Sequence, residues 1–152
     1  MRCGQQKRIP TPGKSQRQHV IGAYNWCDNT VTWHSTQRKD SAAFIRFLER
    51  LLVKHYPNDA VVLVMDNGSI HKSAAVQAAL SLFEHRVQVV WLPPYCSTLN
   101  PIERYWRHLK DTVCVNKLFP NLDELMGAID RTLAAQNDPA NPHRFSFLTN
   151  IV

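Results

Sequence analysis

Two acidic residues, Asp66 and Glu103, occupy the positions in this sequence that are best suited to metal chemistry. Asp66 directly follows the apolar run 60–65, which is short, continuous and bounded by turn residues, as is typical of a strand buried on both faces. Open α/β sheets place their sites beyond the carboxyl ends of such strands. A structural interpretation is also open, because Asp-Asn-Gly is favourable turn chemistry and Asp66 could simply form an Asx-turn.

Glu103 lies at the start of a predicted helix, where it too has a structural and a chemical interpretation. Asn100 is a favourable N-cap and Pro101 a favourable first helical residue, so that Glu103 falls where it can close a capping box. Helix capping does not explain the preceding segment 92–101, in which three prolines restrict the path of the chain into the helix.

The residues between the two acids, 67–102, have room for a helix, a second strand and a loop. Because adjacent parallel strands lie about 4.8 Å apart, both carboxylates can reach the same edge of the sheet. Carboxylate oxygens are the ligands that Mg²⁺ prefers, and a pair of such ions can activate water or a 3′-hydroxyl and stabilise the leaving oxygen of a phosphodiester. The spacing therefore favours metal-assisted phosphodiester chemistry.

The elements that must position these acids alternate between strands and helices. β-Branched and aromatic residues on both sides of a turn-like Cys-Asp-Asn-Thr predict a hairpin. The predicted elements are hairpin strands near 18–26 and 30–36, a helix capped by Asp40 or Ser41, a strand at 60–65, a helix capped by Ser73, a strand at 87–92, a helix from Pro101 and a last helix near 122–136. This order predicts a mixed α/β layer fold with a thin sheet.

Composition and charge favour a globular protein with a polyanionic partner. The 152 residues are 44% apolar and 20% charged, and their net charge of +6 favours nucleic acid through phosphate contacts. Residues 1–27 carry five basic residues and no acidic one, so that this segment is either a solvated arm or a DNA-contacting arm. The arm residues with which we associate DNA contact are Lys7, Arg8, Lys14 and Arg17.

Cysteine usage and hydropathy exclude several other classes. The four cysteines are widely spaced and form no CxxC pair, which argues against a zinc ribbon or a disulfide scaffold and fits a reducing cytosol. The sequence has no apolar run of about 18 residues, so no membrane span is predicted. Its first residues, MRCGQQKRIPTPGK, have no apolar core that would suggest a signal peptide.

The segments around the two acids resemble a known family. "VLVMDNGSIH" (62–71) and "WLPPYCSTLNPIERYWRHLK" (91–110) are similar to the second and third catalytic motifs of DDE transposases, in the bacterial insertion-sequence branch related to the mariner transposases. The opening segment 2–26 resembles the residues that follow the family's first catalytic motif. The resemblance therefore covers nearly the whole chain.

This resemblance implies a ribonuclease H-like fold, a mixed α/β sheet with flanking helices, and three acids that bind two Mg²⁺ or Mn²⁺ ions. It implies cleavage of DNA at the element ends in the bacterial cytosol, and joining of the freed 3′ ends to target DNA. It places the second acid at Asp66 and the third at Glu103, as catalytic and metal-binding residues. It places Asn67, His71 and Asn100 at the rim of the site.

The sequence departs from the family pattern at the first acid. No acidic residue precedes Asp28, which lies in a predicted hairpin turn, and the family's helix-turn-helix region is absent. We therefore expect 1–17 to form a basic arm and 18–152 a partial catalytic domain whose first central strand is missing. Two carboxylates hold two ions poorly, so we expect the chain alone to be inactive. We expect it to be marginally stable unless the N-terminal half of the transposase or another transposase subunit supplies the strand.

Three functions remain open at this stage. The chain is the catalytic-core fragment of a transposase, or a catalytically inactive DNA-binding, regulatory or pseudogene remnant of such an element, and magnesium-dependent nicking would separate these two. The third is an unrelated α/β module such as a phospho-acceptor receiver with Asp66 as the acceptor. A receiver needs an acidic pair after its first strand, and this sequence shows no such pair.

Smaller signals have two interpretations each. His71 could orient a phosphate or assist a metal-bound water, or it could bond to backbone. Arg104, Arg107 and Lys110 recur at intervals of three on the Glu103 helix and could face DNA phosphate or solvent. Seven aromatic side chains could stack on bases or pack in the core, namely Tyr24, Trp26, Trp33, Trp91, Tyr95, Tyr105 and Trp106.

Overall fold

The computed structural model describes residues 16–115 and 117–146, apart from the side chain of Ser97. Its elements follow the predicted order, with small differences at their ends. They are β1 His19–Asn25, β2 Thr30–Thr36, α1 Ser41–Glu49 with a π-helical continuation Arg50–His55, β3 Val61–Met65, α2 Ala74–Ser81, β4 Val87–Trp91, a 3₁₀ turn Ser97–Leu99, α3 Pro101–Cys114 and α4 Leu122–Asn137. No helix in this part of the chain is long and apolar enough to cross a membrane.

The predicted hairpin is confirmed. β1 and β2 pair antiparallel, with His19 opposite Thr36 and Asn25 opposite Thr30. Asp28 shapes the turn, because its Oδ1 accepts hydrogen bonds from the Thr30 backbone N–H at 3.0 Å and from the Thr30 hydroxyl at 2.6 Å. This acid therefore has a structural role at the turn.

The two apolar runs form a parallel pair, as their composition predicted. Val61 lies opposite Val87 and Met65 opposite Trp91, and α2 is the crossover that a parallel connection requires. α2 starts at its predicted cap, because the Ser73 hydroxyl accepts a hydrogen bond from the Val76 N–H at 3.4 Å. This unit brings the carboxyl ends of β3 and β4 to one edge.

The first helix begins as predicted but ends differently. The Asp40 carboxylate caps α1 by accepting a hydrogen bond from the Ala43 N–H at 2.8 Å. Beyond Glu49 the helix widens into its π-helical continuation, in which the Tyr56 N–H donates to the Leu51 carbonyl at 2.9 Å. The Arg86 guanidinium holds this end by donating to the carbonyls of Leu52, Tyr56 and Asp59 at 2.5, 2.7 and 3.2 Å.

The apolar core is divided into two clusters. The first joins α1 and its continuation to β3 and α2, through Phe44, Phe47, Leu48, Leu51, Met65, Val76 and Leu80. The second joins the hairpin to α3 and α4, through Val31, Tyr105, Leu109, Val113 and Leu133. Ile21 and Ala23 of β1 also pack against the first cluster, so that β1 contacts both.

The four strands form two separate sheets. β1 pairs with β2 and β3 pairs with β4, and no strand of the described residues joins the two pairs. Within residues 16–115 and 117–146 the strands therefore form no single continuous sheet.

The prediction that β3 is buried on both faces is wrong. Leu63 and Val89 pack against the first core cluster, but the Val62 side chain is 57% exposed and that of Val90 is 42% exposed. The physical reason is that α3 and α4 pack on the hairpin and leave the second face of the β3–β4 pair open.

Tyr105 carries a polar group that the second cluster does not satisfy. Its side chain is 1% exposed, and its hydroxyl has no hydrogen-bond partner among the described residues. Burial, and to a smaller extent Tyr24, raise the pKa of Tyr105 well above the ordinary range. The hydroxyl therefore stays protonated and desolvated.

Tyr105→Phe is therefore expected to raise the free energy of unfolding by about 1 kcal/mol, because it removes an unsatisfied buried hydroxyl. Tyr105→Ala should lower it by about 3–5 kcal/mol, because it leaves a cavity in the cluster. Urea denaturation measures both changes. A Phe variant less stable than the wild type would show that the hydroxyl makes a stabilising hydrogen bond.

Candidate functional site

Asp66 follows β3 directly and forms the Asx-turn that its sequence context allows. Its Oδ1 accepts a hydrogen bond from the Gly68 N–H at 2.8 Å. The side chain is 37% exposed, and its second oxygen has no hydrogen bond to a described residue. The turn therefore orients the carboxylate without using both of its oxygens.

His71 lies against this carboxylate. Its Nδ1 is 2.9 Å from Asp66 Oδ1 and 3.3 Å from the Asp66 carbonyl oxygen. The imidazole ring also packs on Phe44, with 4.5 Å between the ring centroids. His71 thus contacts backbone, as one interpretation held, and it also holds one oxygen of Asp66.

Glu103 lies in the first turn of α3 and its side chain is exposed. Asn100 caps the helix, since its side chain accepts a hydrogen bond from the Ile102 N–H at 3.3 Å. The hydrogen bonds of the described residues do not include one from the Asn100 N–H to the Glu103 carboxylate, so that the capping box is not closed. Helix capping does not occupy the Glu103 carboxylate.

A cavity of about 200 Å³ brings these residues together. Asp66, His71, Asn100 and Glu103 all line it, although Asp66 and Glu103 are separated by a helix, a strand and a loop. The structure therefore places both acids along one cavity. Asp40 lines the same cavity, a position that its sequence context did not reveal, but its carboxylate caps α1.

Asn67 faces the neighbouring strand. Its side-chain amide donates to the Leu92 carbonyl, and the Leu92 N–H donates to the Met65 carbonyl at 2.8 Å. Asn67 therefore ties the end of β3 to the end of β4. This hydrogen bond helps to fix the backbone next to Asp66.

The donor set fits a hard divalent cation only in part. Carboxylate oxygens suit Mg²⁺ and Mn²⁺, and both acids are accessible to solvent. Within the described ranges, however, no group of three His, Cys, Asp or Glu side chains is close enough to hold a metal ion. Asp66 and Glu103 thus provide part of a coordination shell.

The basic residues predicted to contact DNA are divided between described and undescribed parts of the chain. Arg17, Arg107 and Lys110 are exposed, and Arg104 is partly buried. Lys7, Arg8 and Lys14 lie outside the described residues, as does most of the predicted basic arm.

Some of the aromatic residues lie in the core and others at the surface. Tyr105 is buried, and Tyr24 stacks on it with 5.9 Å between the ring centroids, as core packing predicts. Tyr95 is fully exposed and adopts a left-handed backbone conformation with φ of 62°. Its exposure was not expected from the sequence, because the two prolines that precede it restrict the backbone but give no signal for the direction of the Tyr95 side chain.

Comparison with known proteins identifies the family. The family model of the DDE superfamily endonuclease matches residues 1–126. The chain belongs to this family. It is also 32% identical over 123 residues to the insertion element IS630 uncharacterized 39 kDa protein of Shigella sonnei, a match that covers 81% of this chain and 36% of that protein.

The fold of this DDE superfamily member is similar to that of a solved transposase. The Mos1 transposase in its paired-end complex with the left transposon end superposes with a TM-score of 0.67 at 16% identity, over 88% of this chain and 44% of that one. The chain therefore has the mixed α/β, ribonuclease H-like fold of that enzyme. It spans less than half the length of either protein.

Proposed function

We propose that this chain is the catalytic-core part of a DDE transposase. In the complete enzyme its function is metal-dependent cleavage of DNA at the ends of an insertion element and transfer of those ends to target DNA, in the bacterial cytosol or nucleoid. The observation that carries the proposal is that Asp66 and Glu103 line one cavity while neither carboxylate is fully used in the fold.

Asp66 and Glu103 would hold the divalent ion. When bound, Mg²⁺ or Mn²⁺ activates water or a 3′-hydroxyl and stabilises the leaving oxygen of the phosphodiester. The Gly68 N–H and His71 orient one oxygen of Asp66, and Asn67 fixes the end of β3. Asn100 caps α3 and so fixes where the helix begins, which sets the position of Glu103 in its first turn.

A third acidic ligand would come from another polypeptide segment. Two carboxylates leave much of the six-oxygen shell of Mg²⁺ to water, which weakens binding and leaves the ion poorly placed. We infer that the N-terminal half of the transposase or another transposase subunit supplies this acid on a strand that joins the sheet. The complete site would then hold the two ions that the family resemblance implies.

We propose that the DNA contacts come from α3 and from the basic residues predicted for segment 1–17. Arg107 and Lys110 are exposed on the helix that carries Glu103, so that DNA bound there would pass close to the two acids. Arg104, which is partly buried, and Arg17, which is exposed, are further candidates for phosphate contact. Phosphate contacts of this kind release counterions and make binding strongly dependent on salt.

The double variant Arg107→Gln/Lys110→Gln is therefore expected to weaken duplex binding and to reduce the slope of log K against log salt by about 1.8. Fluorescence anisotropy over a range of NaCl concentrations measures the slope. Lys54→Gln is the control, because Lys54 is exposed on the π-helical continuation of α1. If the slope falls equally in the double variant and in Lys54→Gln, α3 does not contribute to the DNA-binding surface.

Nicking of a supercoiled plasmid tests the catalytic proposal. The chain alone should nick at a rate near background with Mg²⁺ or Mn²⁺, and the chain extended ahead of residue 1 by a strand ending in Asp should nick well above it. Nicking should cease with EDTA.

The second candidate is a DNA-binding or regulatory product without catalysis. It is favoured by the lack of a three-acid group among residues 16–115 and 117–146. An extended chain that binds duplex DNA but nicks no faster than background would establish this candidate in place of the first.

A further inference from the structure

The outer edge of β4 is open. β4 has β3 on one side, and no strand of residues 16–115 and 117–146 pairs with it on the other. Within the same ranges, β3 is also the one element with which β4 makes extensive backbone contact. A strand edge of this kind presents backbone N–H and C=O groups that another strand can bind.

The register with β3 identifies the backbone groups on that outer edge. The Leu92 N–H donates to the Met65 carbonyl at 2.8 Å, at the end of the parallel pair. Because backbone groups alternate in direction along a strand, those of every second residue back from Leu92 also point to β3. The residues between them point away from β3, and they are Val87, Val89 and Trp91.

Four of these outward groups are available for pairing. The Val87 N–H is not, because it donates to the Phe83 carbonyl at 2.8 Å. The N–H and C=O groups of Val89 and Trp91 make no hydrogen bond to any residue in the described part of the chain. These four groups lie symmetrically on either side of Val90.

An edge with this symmetry is complementary to a second copy of itself. If Val90 lies on a two-fold axis, an antiparallel copy places Val89 opposite Trp91 of the second copy, and each such pair exchanges two hydrogen bonds. The resulting four hydrogen bonds use all the available groups of Val89 and Trp91. A register centred on Val89 would leave the Trp91 carbonyls unpaired, because the Val87 N–H is already used.

The side chains of β4 also suit this pairing. The strand Val87–Trp91 carries no charged residue, although edges that must stay unpaired usually carry one. The Val90 side chain is 42% exposed, and it would face its own copy in a non-hydrogen-bonded pair, where side chains approach most closely. Val89 would lie opposite Trp91, and such pairs of β-branched and aromatic residues stabilise sheets.

We propose that the outer edge of β4 is a self-association site, at which two copies of this chain pair β4 with β4 in antiparallel orientation about Val90. The pairing joins two β3–β4 pairs into one four-stranded sheet. It involves neither Asp66 nor Glu103, so that it does not depend on the proposed catalytic function. Four hydrogen bonds and a small apolar contact make a minor interface, which implies a weak, concentration-dependent dimer.

Single cysteines test the register, in the full chain with its four native cysteines replaced by Ser. Val90→Cys should form a disulfide-linked dimer on mild oxidation, because opposed residues in a non-hydrogen-bonded pair have Cα atoms about 4.5 Å apart. Val62→Cys is the matched control. Val62 is 57% exposed on the same face, but it lies on β3, so that its two copies would be about 14 Å apart, or three strand spacings.

Gln88→Cys tests the direction of pairing. The antiparallel register places Gln88 opposite Leu92 of the second copy, so that this variant should not link to itself. A parallel, in-register pair would instead bring the two copies of Gln88 together.

Val90→Lys tests the interface without cross-linking, because it places two like charges opposite each other at the axis. Sedimentation equilibrium at high salt, which screens the +6 charge of each copy, should show dimerisation weakened at least about tenfold. Val62→Lys adds the same charge to the same face and should change dimerisation by about twofold or less. Hydrogen exchange at the Val89 and Trp91 amides should slow as the wild-type concentration rises, and not in Val90→Lys.

Several results would overturn the self-association proposal. Equal cross-linking of Val62→Cys and Val90→Cys would show that the disulfides form by random collision, and cross-linking of Gln88→Cys would exclude the antiparallel register. Exchange at Val89 and Trp91 that stays fast at every concentration would show that the edge remains unpaired. Slow exchange of these amides in the dilute monomer would show that another segment of the same chain covers it.

Discussion

Replacing Asp66 by Asn in the complete enzyme should lower the rate of DNA cleavage about a thousandfold or more, because the metal contributes several kcal/mol to transition-state stabilisation. DNA affinity should change by less than about twofold, since phosphate contacts provide it. Glu103→Gln should have the same two effects. Plasmid nicking and fluorescence anisotropy on the same preparations separate chemistry from binding.

The Asn substitution also separates the two interpretations of Asp66. An asparagine carbonyl can accept the Gly68 N–H that Asp66 Oδ1 accepts at 2.8 Å, so that the Asx-turn persists in the variant. If the turn were the only role of Asp66, the variant would cleave normally. Normal cleavage by either the Asp66 or the Glu103 variant would therefore contradict the assignment of the site.

A matched control lies in the same cavity. Asp40 lines it with Asp66, but its carboxylate caps α1 through the Ala43 N–H. Asparagine is as good an N-cap as aspartate, so Asp40→Asn removes one negative charge and keeps the helix start. We expect this variant to cleave within about threefold of wild type, since one charge that is not a metal ligand acts only through screened electrostatics.

Gly22→Ala should lower the free energy of unfolding by about 1–3 kcal/mol through overpacking. A Cβ at Gly22 would lie 2.8 and 2.9 Å from Cη2 and Cζ2 of Trp106 and 3.1 Å from the Thr32 carbonyl oxygen. Trp106 is a rigid ring one turn beyond Glu103 on α3. Relief of the clash must therefore move α3 relative to β1, and with it Glu103. Thermal or urea unfolding measures the first effect and Mn²⁺ affinity the second.

Gly127→Ala is the matched control for backbone entropy. Gly127 lies inside α4, where an added Cβ would meet only the flexible end of Arg131 at 3.4 Å. The free energy of unfolding of this variant should rise by about 0.5–1 kcal/mol, which is the usual difference between Ala and Gly in a helix interior. Trp106→Leu should rescue Gly22→Ala in a double-mutant cycle. Equal stability changes at the two glycines, or no coupling to Trp106, would contradict the close contact of α3 with β1.

The order of elements could be predicted because local chemistry specifies it. Asp40, Ser73 and Asn100 cap the helices they were expected to cap, and the β-branched runs form the expected hairpin and parallel pair. That Asp66 and Glu103 both line one cavity agrees with the expectation that parallel strands end at one edge, and their joint role as metal ligands stays a prediction. The spacing alone allowed a turn, a helix cap or a metal ligand as the role of these acids. The family resemblance favoured the role of metal ligand.

The remaining features depend on contacts that are distant in sequence. The π-helical continuation of α1 is held by Arg86, more than thirty residues beyond it, so that no local pattern marks it. The exposure of Val62 follows from the packing of α3 and α4 on the hairpin, which a hydrophobic run does not encode. The cavity that Asp66 and Glu103 line likewise exists only in the assembled fold.

Titration of the ¹⁵N-labelled chain with Mn²⁺ tests whether Asp66 and Glu103 bind the same divalent ion. Paramagnetic broadening falls steeply with distance from the ion, so that it locates the ion without requiring activity. We expect the amide signals near Asp66 and near Glu103 to broaden together at one Mn²⁺ concentration. Asp66→Asn and Glu103→Gln should each abolish both effects, whereas Asp40→Asn should preserve them. Broadening at one acid without the other, or persistence of both effects in the two variants, would contradict binding of one ion by both acids.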